Sequence, residues 1–269
     1  MFSKSLFGSF HDAAREGDVK KLTARLRKGS DIDERDDRGR TALFYASREG
    51  QKAAVKLLVE QDADVRIGSS QGDTPLFQAS QRGHRAVVEM LMSFGGDPNE
   101  RNRKGSTPFL VACYNGHLGV VRALADRGAD LGQLSKKGHF PLYIAVERGH
   151  IDVVKHLLER RVDINRSTEE GHTSLMLAAQ LGDPPLTRLL IDQGADVNLT
   201  ADKKGLSALI VAAMQGHMES AMLLLEAGAD YRQVYNENMR PWEIAEAKEH
   251  YKLSVMMKEF EENDSGTLA

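Results

Sequence analysis

The chain is poor in cysteine and in long apolar segments. Its 269 residues include a single cysteine, Cys113, so no intramolecular disulfide can form. A lone thiol fits a reducing compartment. No apolar run approaches the ~20 residues that a bilayer-spanning helix needs, and the first residues lack the uninterrupted apolar segment of a secretion signal. We therefore expect no membrane association and a cytoplasmic location, with the nucleus as the alternative.

Net charge and aromatic content are also low. The 36 basic and 39 acidic residues leave a net charge of −3, so the chain carries no global basic field of the kind that attracts nucleic acid. Aromatic residues make up 6% of the sequence, and stacking on nucleic-acid bases needs aromatic side chains beside basic ones. We therefore do not expect nucleic acid as a partner.

What the sequence does contain is a repeated pattern, Gly-x-Thr-Pro-Leu or a near copy of it. The pattern begins at six glycines: Gly39, Gly72, Gly105, Gly138, Gly171 and Gly205. Successive copies are 33 residues apart, except the last, which is 34 residues after its predecessor. A fixed period of this size predicts a stack of similar units, each burying its apolar face against the next. We therefore expect one continuous solenoid.

Each unit reads as two short helices. In the second unit, Thr74 is placed to cap a helix that starts at Pro75, and Gly83 ends that helix. Val88 and Leu91 lie on the apolar face of a second helix. The same pattern predicts where the second helices stop, namely at Gly29, Asp62, Gly95, Gly128, Arg161, Gly194 and Gly228.

These features resemble the ankyrin-repeat family, whose units are about 33 residues long and carry a Thr-Pro-Leu-His-x-Ala signature. Gly-His dipeptides precede the predicted second helices and place histidines at His84, His117, His150 and His217. Gly-Ala-Asp sequences follow several of these helices. The resemblance implies an all-α fold, an ankyrin-repeat solenoid of paired antiparallel helices with hairpin turns, closed by N- and C-terminal capping repeats.

The predicted organisation follows from the period. Phe2, Leu6 and Phe10 share a helical spacing, which predicts that they cover the first repeat. We expect an N-terminal tail at 1–8, an N-terminal capping repeat at 9–33, six ankyrin repeats at 36–68, 69–101, 102–134, 135–167, 168–200 and 202–234, a C-terminal capping repeat at 235–260 and a flexible tail at 261–269.

Two departures from the family pattern stand out. The signature histidine is replaced at every copy, by Phe44, Phe77, Leu110, Tyr143, Met176 and Ile210. We predict that apolar packing takes the place of its hydrogen bonds. In the fifth repeat, Asp183 and Pro184 replace the usual Gly-His junction, and one extra residue precedes Gly205. Asp183 can cap the following helix, yet this repeat is our candidate for a local bend.

No set of residues assembles recognisable catalytic chemistry. Histidines on successive repeats are separated by the ~8–10 Å spacing of packed helices, whereas zinc–nitrogen bonds are about 2.0–2.1 Å long. We therefore predict no metal site. Cys113 sits in the small-residue position of a first helix and lacks a recognisable base. We predict no enzymatic activity, no catalytic residue and no cofactor.

The residues that vary between repeats are more informative. In ankyrin repeats, hairpin tips and the ends of the first helices line a concave face that commonly binds proteins. Over the first four repeats these positions carry nine basic and four acidic side chains, although the whole chain is slightly acidic. The predicted partner-binding residues are Arg38, Arg40, Arg48, Arg82, Arg103, Lys104, Tyr114, Lys136, Lys137, His139 and Arg148.

This pattern leaves three interpretations open. The first is a monomeric protein-interaction module, an adaptor, scaffold or regulator, that binds a partner segment which is acidic or phosphorylated. The second is a receptor for a small anionic ligand such as an oligonucleotide or a phosphorylated metabolite. The third is a solvated polar rim without a partner.

Two asparagines fit a modification pattern of the family. Asn165 and Asn198 follow Ile164 and Val197, and each has a leucine eight residues before it. This resembles the ankyrin context in which asparagine is hydroxylated in animal cells. The alternative is that both asparagines stabilise turns.

Overall fold

The computed structural model describes residues 9–201, 203–236 and 238–266, with side chains described up to residue 263. These residues form sixteen α-helices and no β-strand. The helices are α1 Phe10–Glu16, α2 Val19–Arg27, α3 Ala42–Arg48, α4 Lys52–Glu60, α5 Pro75–Arg82, α6 Arg85–Ser93, α7 Pro108–Asn115, α8 Leu118–Asp126, α9 Pro141–Glu147, α10 Ile151–Glu159, α11 Ser174–Leu181, α12 Pro184–Asp192, α13 Ala208–Gln215, α14 Met218–Glu226, α15 Pro241–Ala247 and α16 Tyr251–Gly266.

The repeated threonine sets where the first helix of a repeat begins. The Oγ1 atom of Thr74 accepts a hydrogen bond from the backbone N–H of Phe77 at 3.2 Å, and Pro75 occupies the first helical position. Thr107 caps α7 in the same way, at 3.2 Å from the N–H of Leu110. Each cap satisfies one backbone donor that the helix itself leaves unpaired. The capping role predicted for Thr74 is confirmed.

The helix ends also follow the sequence pattern. Gly83 ends α5 with φ of 78°, in the left-handed region where a side chain is disfavoured. Three non-glycine residues adopt the same conformation, namely Asp62 at 63°, Arg161 at 57° and Glu249 at 65°. The stops predicted at Asp62 and Arg161 therefore coincide with left-handed backbone positions, even though neither residue is glycine.

The positions of the missing signature histidine lie in the core. Phe44, Phe77, Leu110, Met176 and Ile210 are all buried, and Tyr143 is buried as well. The prediction that apolar packing occupies these positions is confirmed. Cores of this kind are stabilised by the removal of apolar surface from water, at about 25 cal/mol per Å².

The chain divides into two compact units, residues 1–141 and 142–269. In the first unit, α1, α3, α5 and α7 pack side by side, and α2, α4, α6 and α8 form the neighbouring row. In the second unit, α11, α13 and α15 pack in order, α12 packs on α14, and α15 packs on α16. Each unit therefore has the paired-helix stacking that the period predicts.

The ends of the chain differ in part from the prediction. Phe10 is buried in α1, while Phe2 and Leu6 lie outside the described residues. A flexible tail was expected from residue 261, but α16 continues to Gly266. The reason is that the carboxylate of Glu261 accepts a hydrogen bond of 2.6 Å from Arg240 Nη1, which ties this turn of α16 to the start of α15.

The unusual fifth repeat keeps its second helix. Asp183 caps α12, because its Oδ1 atom accepts a hydrogen bond of 2.9 Å from the N–H of Leu186. Pro184 occupies the first helical position, where the absence of an N–H costs nothing. The cap predicted at Asp183 is confirmed, and the bend at this repeat stays a prediction. Among the described helices, none is both long enough and apolar enough to cross a bilayer.

Candidate functional site

The hairpin tips are organised by one side chain three residues before each repeat glycine. Asp36 Oδ1 accepts from the backbone N–H groups of Arg38 and Arg40, both at 2.9 Å. Asn102 Oδ1 accepts from the N–H groups of Lys104 and Ser106, at 3.0 and 2.9 Å. Ser135, Ser69 and Thr168 occupy the equivalent position and bond their own tips. The recurrence of Asp, Asn, Ser or Thr at this offset is a sequence signal for these residues that the repeat analysis missed.

Backbone hydrogen bonds join neighbouring tips in the first unit. The N–H of Ser70 donates to the carbonyl oxygen of Arg38 at 2.8 Å, and the N–H of Arg103 donates to that of Gln71 at 2.9 Å. The ammonium group of Lys136 donates to the carbonyl oxygen of Arg103 at 2.7 Å. The tips of four consecutive repeats therefore form one connected row.

Two arginines that sequence analysis did not single out reinforce this row. Arg35 donates to the carbonyl oxygens of Gly39 and Gly68, at 3.2 and 2.7 Å. Arg101 donates to the carbonyl oxygens of Gly105 and Leu134, both at 2.8 Å. Each guanidinium group thus bridges its own tip and the next one. The signal is hard to recognise in the sequence, because the intervening repeat has glycine at the corresponding position.

Three of the predicted binding cations are engaged within the protein. Arg40 Nη2 lies 2.7 Å from Asp36 Oδ2, and its guanidinium group stacks 4.9 Å from the ring centre of Tyr45. Arg48 Nε lies 3.6 Å from the carboxylate of Glu49. Lys136 bonds a backbone carbonyl oxygen as described above. These contacts leave Arg40, Arg48 and Lys136 less available to a partner than the sequence pattern implies.

The network around Asp36 is electrostatically distinctive. Burial alone would raise the pKa of the Asp36 carboxyl group, but hydrogen bonds from Arg40, Tyr45 and Arg38 hold that pKa well below its usual range. The hydroxyl group of Tyr45 donates to Asp36 Oδ2 at 2.8 Å. Burial and this bond to the carboxylate both raise the pKa of Tyr45. Arg15 stacks on the same ring, 4.5 Å from its centre.

Other predicted cations remain available at the surface. Arg38, Arg82, Arg103, Lys104 and Lys137 are exposed and form no ion pair with a described residue. Tyr114, at the end of α7, is 44% exposed, and His139 is half-buried. Arg148 is exposed and belongs to the second unit. The structure thus divides the predicted set into engaged and available cations.

The Gly-His histidines have structural roles. The Nε2 atoms of His84, His117 and His217 lie 3.1, 3.0 and 3.1 Å from carbonyl oxygens at the end of the preceding repeat's first helix. Because a carbonyl oxygen can only accept, these ring nitrogens donate. The structural interpretation of these three histidines is confirmed. The described residues contain no group of three or more potential metal-ligating side chains.

Two further residues perform the same bridging role without a Gly-His signature of the sequence analysis. Gln51 Nε2 donates to the carbonyl oxygen of Arg15 at 3.1 Å, and His250 Nε2 lies 3.3 Å from that of Met214. Gln51 follows Gly50 at the place where later repeats have histidine. Both were missed because the search was for the dipeptide, not for any donor at that position.

Cys113 and the two candidate asparagines also have clear environments. Cys113 is fully buried, and burial raises the pKa of its thiol far above neutral pH, so the reactive thiolate is suppressed. Asn165 Oδ1 accepts from the N–H of Asp196 at 2.9 Å, and Asn198 Oδ1 accepts from that of Asp230 at 2.8 Å. Both asparagines are exposed and join successive repeats.

Comparison with known proteins places the chain in a family. The family model described as ankyrin repeats in three copies matches residues 10–102, 90–168 and 162–235. The chain is therefore an all-α repeat protein of the ankyrin-repeat family. Ankyrin-repeat domains generally mediate protein–protein interactions.

Solved structures support this assignment. The human ASB11 ankyrin repeat domain is 26% identical, with a TM-score of 0.73, and the match covers 83% of this chain and 99% of that domain. The ankyrin repeat domain of Bcl-3, described as a unique member of the IkappaB protein family, is 28% identical, with a TM-score of 0.72 and coverage of 81% and 99%. No curated protein sequence gives a significant match.

Proposed function

We propose that the chain is a non-enzymatic adaptor, scaffold or regulator that binds an acidic or phosphorylated segment of a protein partner. The observation that supports this most is the set of exposed cations on the connected tips of the first unit, without carboxylate partners. They are Arg38, Arg82, Arg103, Lys104 and Lys137. A carboxylate or phosphate arriving here finds cations that are already positioned and need not leave an internal ion pair.

Two features of this surface suit a protein segment. Tyr114 exposes an aromatic side chain at the end of a first helix, and tyrosine and arginine are the residues that most often anchor interfaces. The tips are joined by backbone hydrogen bonds, so little conformational entropy is lost when a partner binds. Of the other predicted residues, Arg40, Arg48 and Lys136 support the tips, and His139 and Arg148 extend the proposed surface.

The test is a charge-reversal variant with a matched control. Arg82, Lys104 and Lys137 are changed to glutamate together, and the control changes three exposed second-helix cations to glutamate, at Lys20, Lys52 and Arg122. Both variants change the net charge equally. Affinity purification with mass spectrometry then identifies proteins retained by the original chain and the control but lost by the tip variant.

The bound segment is mapped and its affinity measured at two salt concentrations. A well-buried anchor contributes about 2 kcal/mol, so we expect Kd to rise at least about thirtyfold in the tip variant. We also expect its salt dependence to weaken, since fewer charge pairs form. Partners that bind the tip variant as tightly as the original chain, with the same salt dependence, would refute the proposal.

The small-anion alternative is tested separately. A ligand that binds only the folded state raises the melting temperature, so a thermal-shift screen with oligonucleotides and phosphorylated metabolites addresses it directly. Stabilisation by such a ligand, abolished in the tip variant, would favour the receptor function over the protein-binding one.

Three further proposals accompany this function. The protein is monomeric, it acts in the cytoplasm or the nucleus, and Asn165 and Asn198 are substrates for asparagine hydroxylation. The exposure of both asparagines supports the last proposal, while their bonds to the next repeat favour a turn-stabilising role. Intact-mass measurement after expression with and without an asparagine hydroxylase distinguishes the two roles.

A further inference from the structure

A second surface, on the outer helices of the second unit, combines exposed apolar residues with acidic ones. On α14, Met218 is 37% and Met222 is 42% exposed. On α16, Tyr251 is 62% and Val255 is 53% exposed. Each pair is spaced by four residues, so both members lie on the same face of their helix. Large apolar side chains this exposed and this close together mark interaction sites more often than isolated ones do.

The two pairs occupy equivalent positions in consecutive repeats. Met218 and Tyr251 are 33 residues apart, as are Met222 and Val255. The starts of the two helices are adjacent, because the imidazole ring of His250, just before α16, packs against Gly216, just before α14. The Nε2 atom of His250 also lies 3.3 Å from the carbonyl oxygen of Met214. The two apolar pairs therefore lie side by side and define what we call the outer groove.

The outer groove ends in carboxylates. One turn beyond Met222 on the same face lies Glu226, and one turn beyond Val255 lies Glu259. Both glutamates are exposed. Glu226 pairs with Arg188 of α12 at 3.6 Å, while Glu259 forms no ion pair with a described residue. The partial negative charge at the C-terminal end of α14 adds to this potential. The groove is thus apolar at one end and acidic at the other.

We propose that the outer groove binds an amphipathic helix of a partner protein, with its apolar side chains against the methionines, Tyr251 and Val255, and with lysine or arginine near Glu226 and Glu259. Met218 and Glu226 are eight residues apart, which is about 12 Å along a helix. The partner helix therefore carries its basic residues roughly two turns from its apolar anchors. Flexible methionine side chains adapt well to apolar anchors of different shapes.

The size of the groove favours a single helix over a second copy of the chain. Four partly exposed side chains offer on the order of a few hundred Å² of apolar surface, whereas a standard protein interface buries ~800 Å² on each partner. A partner helix lying between α14 and α16 would cover this surface completely. This surface is independent of the tips of the first unit, so either proposal can fail without the other.

The test uses a phage-displayed library of helical peptides, selected against the full chain. Three exposed-site variants are compared. The groove variant carries Met222→Asp and Val255→Asp, and the matched control carries Ala53→Asp and Ala86→Asp, at the equivalent rows of α4 and α6. A third variant reverses charge with Glu226→Lys and Glu259→Lys. Thermal melts establish that all three remain folded.

We expect selected peptides to have apolar residues at helical spacing with lysine or arginine about eight positions away. Their affinity, measured by fluorescence anisotropy, should fall at least tenfold with the groove variant and stay unchanged with the control. The charge-reversed variant should select acidic residues instead. The proposal is overturned if no peptide is enriched, if enriched peptides bind the groove variant equally well, or if light scattering shows a dimer that the groove variant dissolves.

Discussion

The carboxylate of Asp36 offers a sharp test of how the first hairpin is held together. It accepts hydrogen bonds from two backbone N–H groups, from the guanidinium group of Arg40 and from the hydroxyl group of Tyr45. Replacing it with asparagine keeps an oxygen for the backbone donors but removes the charge that binds Arg40. Replacing it with alanine leaves all of these donors without their acceptor.

The expected size of the effect follows from these contacts. A hydrogen bond to a charged group contributes about 1.5–3 kcal/mol when shielded, and exposed ion pairs contribute about 0–1 kcal/mol. The Asp36 side chain is 22% exposed, which places it between these limits. We expect Asp36→Asn to lower the free energy of unfolding of this repeat by about 1 kcal/mol and Asp36→Ala by about 2–3 kcal/mol.

The effect should depend on pH in one direction. The pKa of Asp36 is held well below its usual range in the folded protein, while the unfolded chain has the ordinary value of about 3.9. The charge therefore stabilises the fold fully above about pH 5. This stabilisation is lost as pH falls below about 4, since the unfolded state then takes up a proton that the folded state does not. The difference between the original chain and Asp36→Asn should be constant from pH 5 to 7 and narrow towards pH 3.

The assay is urea unfolding combined with hydrogen exchange of the first hairpin. Repeat proteins lose structure repeat by repeat, so exchange at the N–H groups of Arg38 and Arg40 reports the local effect. The control is Asp37→Asn on the same tip, because Asp37 is exposed and forms no ion pair with a described residue. Equal effects of the Asp36 and Asp37 variants, or an undiminished Asp36→Asn effect at pH 3, would show that the network is not what stabilises the hairpin.

Three further changes probe the helix junctions and the core. Gly83→Ala and Gly95→Ala both place alanine in left-handed backbone, at a cost of about 1–2 kcal/mol. Only the first adds a Cβ atom 2.8 Å from the His117 ring, so urea titration should show a larger loss for Gly83→Ala, and equal losses would contradict the contact. Thr74→Ala should cost about 1 kcal/mol through the lost cap, with Thr74→Ser as the control that retains it. Iodoacetamide at pH 8 should leave Cys113 largely unmodified in the folded protein and label it fully in urea, since burial raises the pKa of its thiol; rapid labelling without urea would contradict its burial.

Much of the architecture could be predicted because its signals are local. A threonine hydroxyl group reaches a backbone N–H three residues away, and a left-handed residue ends a helix wherever the following chain must turn. The burial of Phe44 and Phe77 follows from their place in the repeat. The end of α16 was predicted less well, since its extension involves a contact between Glu261 and Arg240, which are 21 residues apart.

The candidate site was less predictable than the fold. The sequence identifies the tips as basic, but it treats Arg40, Lys104 and Lys136 as alike. In the structure, Arg40 is paired with Asp36 and Lys136 donates to a neighbouring tip, while Lys104 remains without an ion pair among the described residues. Which cation is available depends on side-chain geometry within about 4 Å, and a repeat pattern does not encode that distance.

By itself, the sequence determined the period, the helix starts and stops, the apolar core positions and the family. These properties depend on backbone preferences and on burial at fixed spacing, both of which are written into each 33-residue unit. Only the tertiary structure decided that Gln51 takes the place of a bridging histidine, that Asp36 organises a charged network, and that Met222 and Val255 share one groove. Those properties arise between residues that are distant in sequence and come into contact only when the repeats stack.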